Sequence, residues 1–153
     1  PKDHGILGND KVYERVKDIE QRKKNRAQAY KPIIAAFEKQ TTLPDMLKKK
    51  GYLSFQTGKW WHGNHKIGGF DYGMTHGDPK KGGRHGDFGL TIGRNGLDTI
   101  NSYVDLALKE KKPFFLWYAP FLPHRPHNPP QHLFEKYKKK TDSEHLAKYW
   151  AMI

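Results

Sequence analysis

Apolar positions along the chain form short groups that alternate between helical spacing and continuous runs. Residues 52–57 are rich in aromatic and β-branched residues between two glycines, which predicts a strand. Residues 114–119 are a continuous apolar run, as in a strand buried on both faces. Helical spacing precedes each strand, over residues 41–50 and 94–112. This order predicts an α/β fold with a mostly parallel sheet flanked by helices.

The helix before the first strand carries signals for both of its ends. A threonine at 41 or 42 can cap it, and Pro44 is tolerated in its first turn. The lysines at 48–50 suit the negative end of the helix dipole, and Gly51 suits the position after it. We therefore expect a short helix that leads directly into the strand.

The chain length is that of one ordinary domain, and we divide it into five segments of that domain. From Gly58 to Gly93 the chain holds eleven glycines, both ends included, without sustained apolar periodicity, and long ordered loops of this kind tend to be functional. The first segment, 1–40, is charged and helical, with a weakly amphipathic helix at 10–30, and the second, 41–58, holds a helix and a strand. The third, 59–93, is a glycine-rich active-site loop, and the fourth, 94–120, again holds a helix and a strand. The fifth, 121–153, is a proline-rich loop followed by short helices at 131–138 and from 143 onward.

The composition allows a thin core, since 35% of residues are hydrophobic and the mean hydropathy is −0.93. Cysteine is absent, which excludes disulfides, thiolate catalysis and cysteine-bound zinc. No run of about 18 apolar residues predicts a membrane span, and no leader pattern is present. The chain begins at Pro1 and stops at Ile153 within a helix-like apolar pattern, so we expect an internal part of a larger domain.

The net charge of +12 favours anionic partners. Much of it lies on predicted helix faces and ends, where solvation alone accounts for it. A basic nucleic-acid-binding module is the alternative from another class. The aromatic residues at 114–118 argue against it, because they fall in a strand predicted to be buried and are not displayed for stacking. We expect neither a nucleic-acid nor a membrane partner.

Polar residues able to carry chemistry follow both predicted strands. Lys59 and His62 follow the first strand, and His124 lies in the proline-rich loop after the second. Because the carboxyl ends of parallel strands meet at one edge of a sheet, we expect these side chains at the same rim. Lysine can bind an oxyanion and histidine can protonate a leaving oxygen near neutral pH. The pattern predicts a site for an anionic group.

A series of ordered motifs resembles the landmarks of the type I, formylglycine-dependent sulfatases of the alkaline phosphatase-like superfamily. The resemblance extends from about Thr41 to the end of the chain, with a further match at residues 4–6. The motifs are Gly51-Tyr52, Thr57-Gly58-Lys59-Trp60, Gly69-Phe70-Asp71, residues 113–120 and His124-Arg125-Pro126.

The resemblance implies an enzyme that hydrolyses sulfate esters with a formylglycine nucleophile and calcium. Lys59 matches the lysine that binds the sulfate, and His124 the histidine near the leaving oxygen. For the family's other histidine, ungapped matching selects Trp61, whereas one extra residue selects His62, which we prefer on chemical grounds. The rival within the superfamily is a phosphoester or phosphonate hydrolase.

The family's Cys or Ser-x-Pro-x-Arg nucleophile motif and its calcium-binding aspartate pairs do not occur in the 153 residues. We therefore expect this chain to be inactive alone and to work with the rest of its own catalytic domain. The expected substrate is an anionic small-molecule or polysaccharide sulfate ester, and the expected location is the periplasm or the extracellular space.

Polar residues in the glycine-rich loop supply further candidates. We predict that Arg84 and His85 contact the substrate and that Trp61 lines the cleft, where it could stack on a sugar. A zinc site built from histidines 76 and 85 with a neighbouring aspartate, and a glycine-rich turn whose polar groups are merely solvated, are the alternatives.

Overall fold

The computed structural model describes residues 16–60, 63–77, 89 and 91–153. Within these residues, helices pack around a small parallel sheet. The helices are α1 (Ile19–Glu38), α2 (Leu43–Lys48), α3 (Asp98–Lys109), α4 (Gln131–Lys138) and α5 (Glu144–Trp150), the strands are β1 (Leu53–Gly58), β2 (Tyr72–Gly73) and β3 (Phe114–Ala119), and a 3-10 helix spans His65–Gly68.

The strands form one sheet in the order β2-β1-β3, and both pairings are parallel. Phe55 of β1 lies opposite Tyr72 of β2, while the β1–β3 ladder runs from residue 53 opposite 114 to residue 58 opposite 119. The predicted α/β fold with a parallel sheet is confirmed. The strand β2 lies inside the segment predicted as a loop, because two residues are too few to form a recognisable apolar pattern.

The central strand β1 is buried along its whole length. Leu53 and Phe55 pack against Tyr103 and Ala107 of α3, and these four residues form the core. The rings of Phe55 and Tyr103 lie 4.8 Å apart between centroids. The apolar face predicted for this helix therefore packs on the sheet.

The prediction that β3 is buried on both faces is wrong for the described part of the chain. Phe114, Trp117 and Tyr118 are 40%, 39% and 50% exposed. The physical reason is that β3 pairs only with β1 among the described strands, so it forms an edge of the sheet. The expectation that these aromatic residues are buried, which argued against base stacking, is therefore wrong as well.

Local capping signals set the helix boundaries. Thr42 and Asp45 form a reciprocal capping box at the start of α2, as the threonine signal predicts. Asp18 accepts a hydrogen bond from the backbone of Gln21 and begins α1 at residue 19. This helix extends to residue 38, beyond the predicted end at 30, because Ile33 is buried near its carboxyl end. The short helices α4 and α5 lie where they are predicted.

An aromatic cluster joins α1 and the segment after β1 to the sheet. Trp60 makes edge-to-face contacts with Phe37, Phe70 and Trp117, at centroid distances of 5.8, 5.5 and 6.3 Å. Phe70 also stacks on Phe115 at 6.1 Å. Trp60, the residue after Lys59, therefore links α1 to the sheet through its ring contacts.

Candidate active site

The carboxyl ends of β1 and β3 meet at one edge of the sheet, where Gly58 lies opposite Ala119. The next residue, Lys59, donates its backbone N–H to the carbonyl of Ala119 at 2.8 Å. The proline-rich loop that carries His124 begins at Pro120, directly after this point. The two candidate side chains therefore leave the sheet from the same edge.

Glycine is required at position 58 by the close approach of the two strand ends. Its φ is +71°, and a Cβ atom would lie 2.1 Å from the carbonyl oxygen of Ala119. The carbonyl of Gly58 accepts hydrogen bonds from Gln56 Nε2 at 2.9 Å and from Thr75 Oγ1 at 2.8 Å. Because Gln56 and Thr75 are both buried, they hold the backbone before Lys59 in a fixed position.

The backbone of Lys59 is held from the β3 side as well. The indole N–H of Trp117 donates to the Lys59 carbonyl at 3.3 Å. Thr57 Oγ1 in turn donates to the carbonyl of Trp117 at 2.8 Å. The main chain of Lys59 is thus bonded at both its N–H and its carbonyl, so the lysine side chain starts from a rigid base.

Phe121 brings Lys59 and His124 together. The Lys59 ammonium lies 4.8 Å from the centre of the Phe121 ring, and the His124 ring lies 4.2 Å from the same ring. Gly89 packs against the side chains of Lys59 and Phe121, since a Cβ at position 89 would lie 2.9 Å from Lys59 Cγ and 3.0 Å from Phe121 Cβ. A cation and a titratable imidazole thus share one apolar surface.

The hydrogen bonding of His124 fixes which ring nitrogen can exchange a proton. Its Nδ1 lies 2.7 Å from the carbonyl oxygen of Arg125. A carbonyl can only accept, so Nδ1 carries hydrogen and Nε2 is the atom that gains or loses the second proton. The residue is exposed, so a proton at Nε2 can be exchanged with solvent or with a bound molecule.

The other candidates lie outside the described residues: His62, Trp61, Arg84 and His85. The choice between His62 and Trp61 therefore stays a prediction. Of the alternative zinc site, His76 alone is described, and its carbonyl accepts from Asn64 Nδ2 at 3.3 Å.

Sequence reasoning missed Phe121, Gln56 and Thr75 as parts of this site. An aromatic residue shortly after β3, and polar residues within or near a strand, were the available signals. Neither signal is specific, because Thr75 lies 17 residues from Gly58 and Phe121 lies 62 residues from Lys59.

The described residues do not form a ligand set for calcium. Among them, no three histidine, aspartate or glutamate side chains gather in one place. Asp71 is used structurally, since its carboxylate accepts from Lys48 Nζ at 2.7 Å and from the Ser54 backbone and hydroxyl at 3.0 Å. Lys59 and His124 are therefore the candidate site residues that the described part of the chain contains.

The fold and the site define an α/β protein that presents a lysine and a histidine at the carboxyl edge of a parallel sheet. The family model of the Sulfatase family matches residues 19–153. The chain belongs to the sulfatase family, and its parallel sheet with flanking helices is consistent with part of an alkaline phosphatase-like fold.

Membership indicates a hydrolase of the sulfatase type. No curated protein matches the chain. None of the helices in the described ranges is long and apolar enough to cross a bilayer.

Proposed function

We propose that this chain carries the anion-binding and proton-donating part of a site that hydrolyses sulfate monoesters, with sulfated carbohydrates as the substrate class. The observation that carries the proposal is the convergence of Lys59 and His124 on the Phe121 ring, at the edge where β1 and β3 end. Family membership supports it independently.

Lys59 binds the non-bridging oxygens of the sulfate in this proposal. Its ammonium is a compact positive charge with three donors, and the apolar Phe121 ring beside it lowers the local dielectric. The bonded main chain on both sides of the lysine limits how far the ammonium can move. A charge held in advance is worth most where negative charge grows during the reaction.

His124 protonates the leaving oxygen. With Nδ1 engaged by the Arg125 carbonyl, Nε2 is the nitrogen that delivers a proton to the ester oxygen as the sulfur–oxygen bond breaks. An imidazole nitrogen can donate a proton and then recover it in each cycle.

A formylglycine nucleophile and calcium would complete this site, both inferred from membership of the sulfatase family. The chain has no cysteine, no Ser-x-Pro-x-Arg motif and none of the family's calcium-binding aspartate pairs, so neither the nucleophile nor the calcium site belongs to it. The rest of the catalytic domain is the expected source of both, and the periplasm or the extracellular space is the expected location.

Two substitutions test the proposal in the native protein that contains this chain together with its nucleophile. Lys59→Ala and His124→Ala should each lower kcat/KM for 4-nitrophenyl sulfate by at least about a hundredfold, the scale of a lost transition-state donor or acid catalyst. Matched controls are Lys49→Ala and His132→Ala, which remove exposed side chains elsewhere. Near-normal turnover by both site variants would overturn the assignment.

Two further measurements settle the open alternatives. Faster hydrolysis of 4-nitrophenyl phosphate than of the sulfate ester would favour the phosphoester reading. Comparing His62→Leu with Trp61→His separates the two ways of matching the motif. A fall in kcat in His62→Leu assigns the role to His62, whereas an unchanged kcat in His62→Leu with a changed kcat in Trp61→His assigns it to position 61.

A further inference from the structure

A basic groove lies beside the candidate active site, between the proline-rich loop and α5. It has a volume of about 900 Å³ and is lined by Arg125, His127, His145, Lys148 and Tyr149, among others. No aspartate or glutamate is among its lining residues within the described part of the chain. Its size falls in the range of pockets that hold small organic molecules.

Arg125 is the principal cation of the groove. Its side chain is exposed, and within the described residues no hydrogen bond or ion pair engages its guanidinium. Lys148 contributes less, because its ammonium is paired with Glu144 on the same helix. A guanidinium presents paired N–H groups that match the oxygens of a sulfate or a carboxylate.

The wall of the groove is held in place by ring and backbone contacts. His127 Nε2 lies 3.1 Å from the carbonyl of Pro123, and the His127 ring packs 5.5 Å from the ring of Tyr149. The first contact is internal to the loop, and the second connects the loop to α5. The groove is therefore a shaped surface and not merely a set of solvated charges.

The groove begins one residue after His124, since Arg125 is the first of its lining residues in the chain. Arg125 follows His124 directly, and neighbouring Cα atoms are only about 3.8 Å apart. In the proposed function, on which this inference rests, His124 acts on the leaving oxygen. The alcohol part of the substrate must therefore lie near His124 and can extend toward Arg125.

We propose that this groove binds a second anionic group, a sulfate or a carboxylate, on the leaving alcohol. The substrate class is then an oligosaccharide sulfate with at least two anionic groups, the first being hydrolysed beside Lys59 and the second held by Arg125. A simple monosulfate would occupy only the first position.

The test compares kcat/KM of the native protein for glucose 6-sulfate with kcat/KM for disaccharides that contain the same ester. One disaccharide carries a second sulfate and the other a uronic acid carboxylate, which identifies the anionic group preferred. Arg125→Ala should reduce the preference for the dianionic substrates by about tenfold or more, as expected for one lost hydrogen bond to a charged group. The matched control is Arg26→Ala, an equal loss of charge on α1.

An unchanged preference in Arg125→Ala, or an equal loss in Arg26→Ala, would overturn the groove assignment while leaving the proposed function intact. If neither monosulfated nor disulfated sugars are hydrolysed, the proposed function fails instead. Calorimetric binding of a disaccharide disulfonate, which cannot be hydrolysed, still tests the groove in that case. Binding of a single-stranded oligonucleotide that depends on Arg125, without disulfonate binding, would replace the carbohydrate assignment.

Discussion

Replacing Gly58 with alanine should damage the fold and the candidate site together. The residue has φ +71°, and an added Cβ would lie 2.1 Å from the Ala119 carbonyl oxygen and 2.8 Å from its carbon. A left-handed conformation costs an L-residue about 1–2 kcal/mol, and overpacking against a fixed neighbour costs about 1–3 kcal/mol. The free energy of unfolding should therefore fall by about 2–5 kcal/mol.

Gly51→Ala is the matched control, because Gly51 shares the backbone conformation without the crowding. Its φ is +83°, and nothing lies within 4 Å of an added Cβ. This variant should lose only the conformational part, about 1–2 kcal/mol. The difference between the two variants isolates the cost of separating the ends of β1 and β3.

Urea unfolding followed by far-ultraviolet circular dichroism measures both variants against the wild type. Unchanged m-values are needed so that the difference reports stability and not compactness. Amide exchange at Lys59 should also accelerate in Gly58→Ala, because its N–H is bonded to Ala119. Equal destabilisation of the two variants, within about 0.5 kcal/mol, would refute the reasoning.

Two further predictions concern the partly buried Asp71 and the buried His65. Burial would raise the pKa of Asp71, but hydrogen bonds from Lys48 and Ser54 outweigh it and hold that pKa below its usual value. Its stabilising effect is therefore complete above the unfolded-state pKa and is lost as the pH falls through the folded-state pKa. Asp71→Asn should lower the free energy of unfolding by about 1.5–3 kcal/mol near pH 7. Lys48→Met removes only an exposed ion-pair partner and should lower it by about 0–1 kcal/mol. Equal losses of the two variants in urea titrations would contradict this. Burial lowers the pKa of His65, although its bond to the Thr75 carbonyl acts in the opposite direction. The protein should therefore lose stability as the pH falls through the ordinary histidine pKa toward the lower folded value. In His65→Gln, the free energy of unfolding should depend less on pH over this range. An unchanged pH dependence in this variant would rule out His65 as its source.

The sequence predicts the candidate site only through the positions at which the two strands end. Lys59 and His124 are expected at one edge because each follows a strand, and both strands are where the apolar pattern places them. Phe121 as the shared surface was not predictable, since it depends on how the loop after β3 folds back toward Lys59. The roles of Lys59 and His124 remain predictions that the substitutions above test.

The sequence by itself determined the elements that local signals define: the capped start of α2, the strands β1 and β3, the short helices near the end, and the parallel arrangement implied by their order. These depend on side-chain periodicity, caps and glycines, which act over a few residues. Only the tertiary structure decided that β2 exists, that β3 lies at an exposed edge, and that Thr75 holds the carbonyl of Gly58. Those features depend on hydrogen bonds and packing between segments far apart in the chain, which no local pattern encodes.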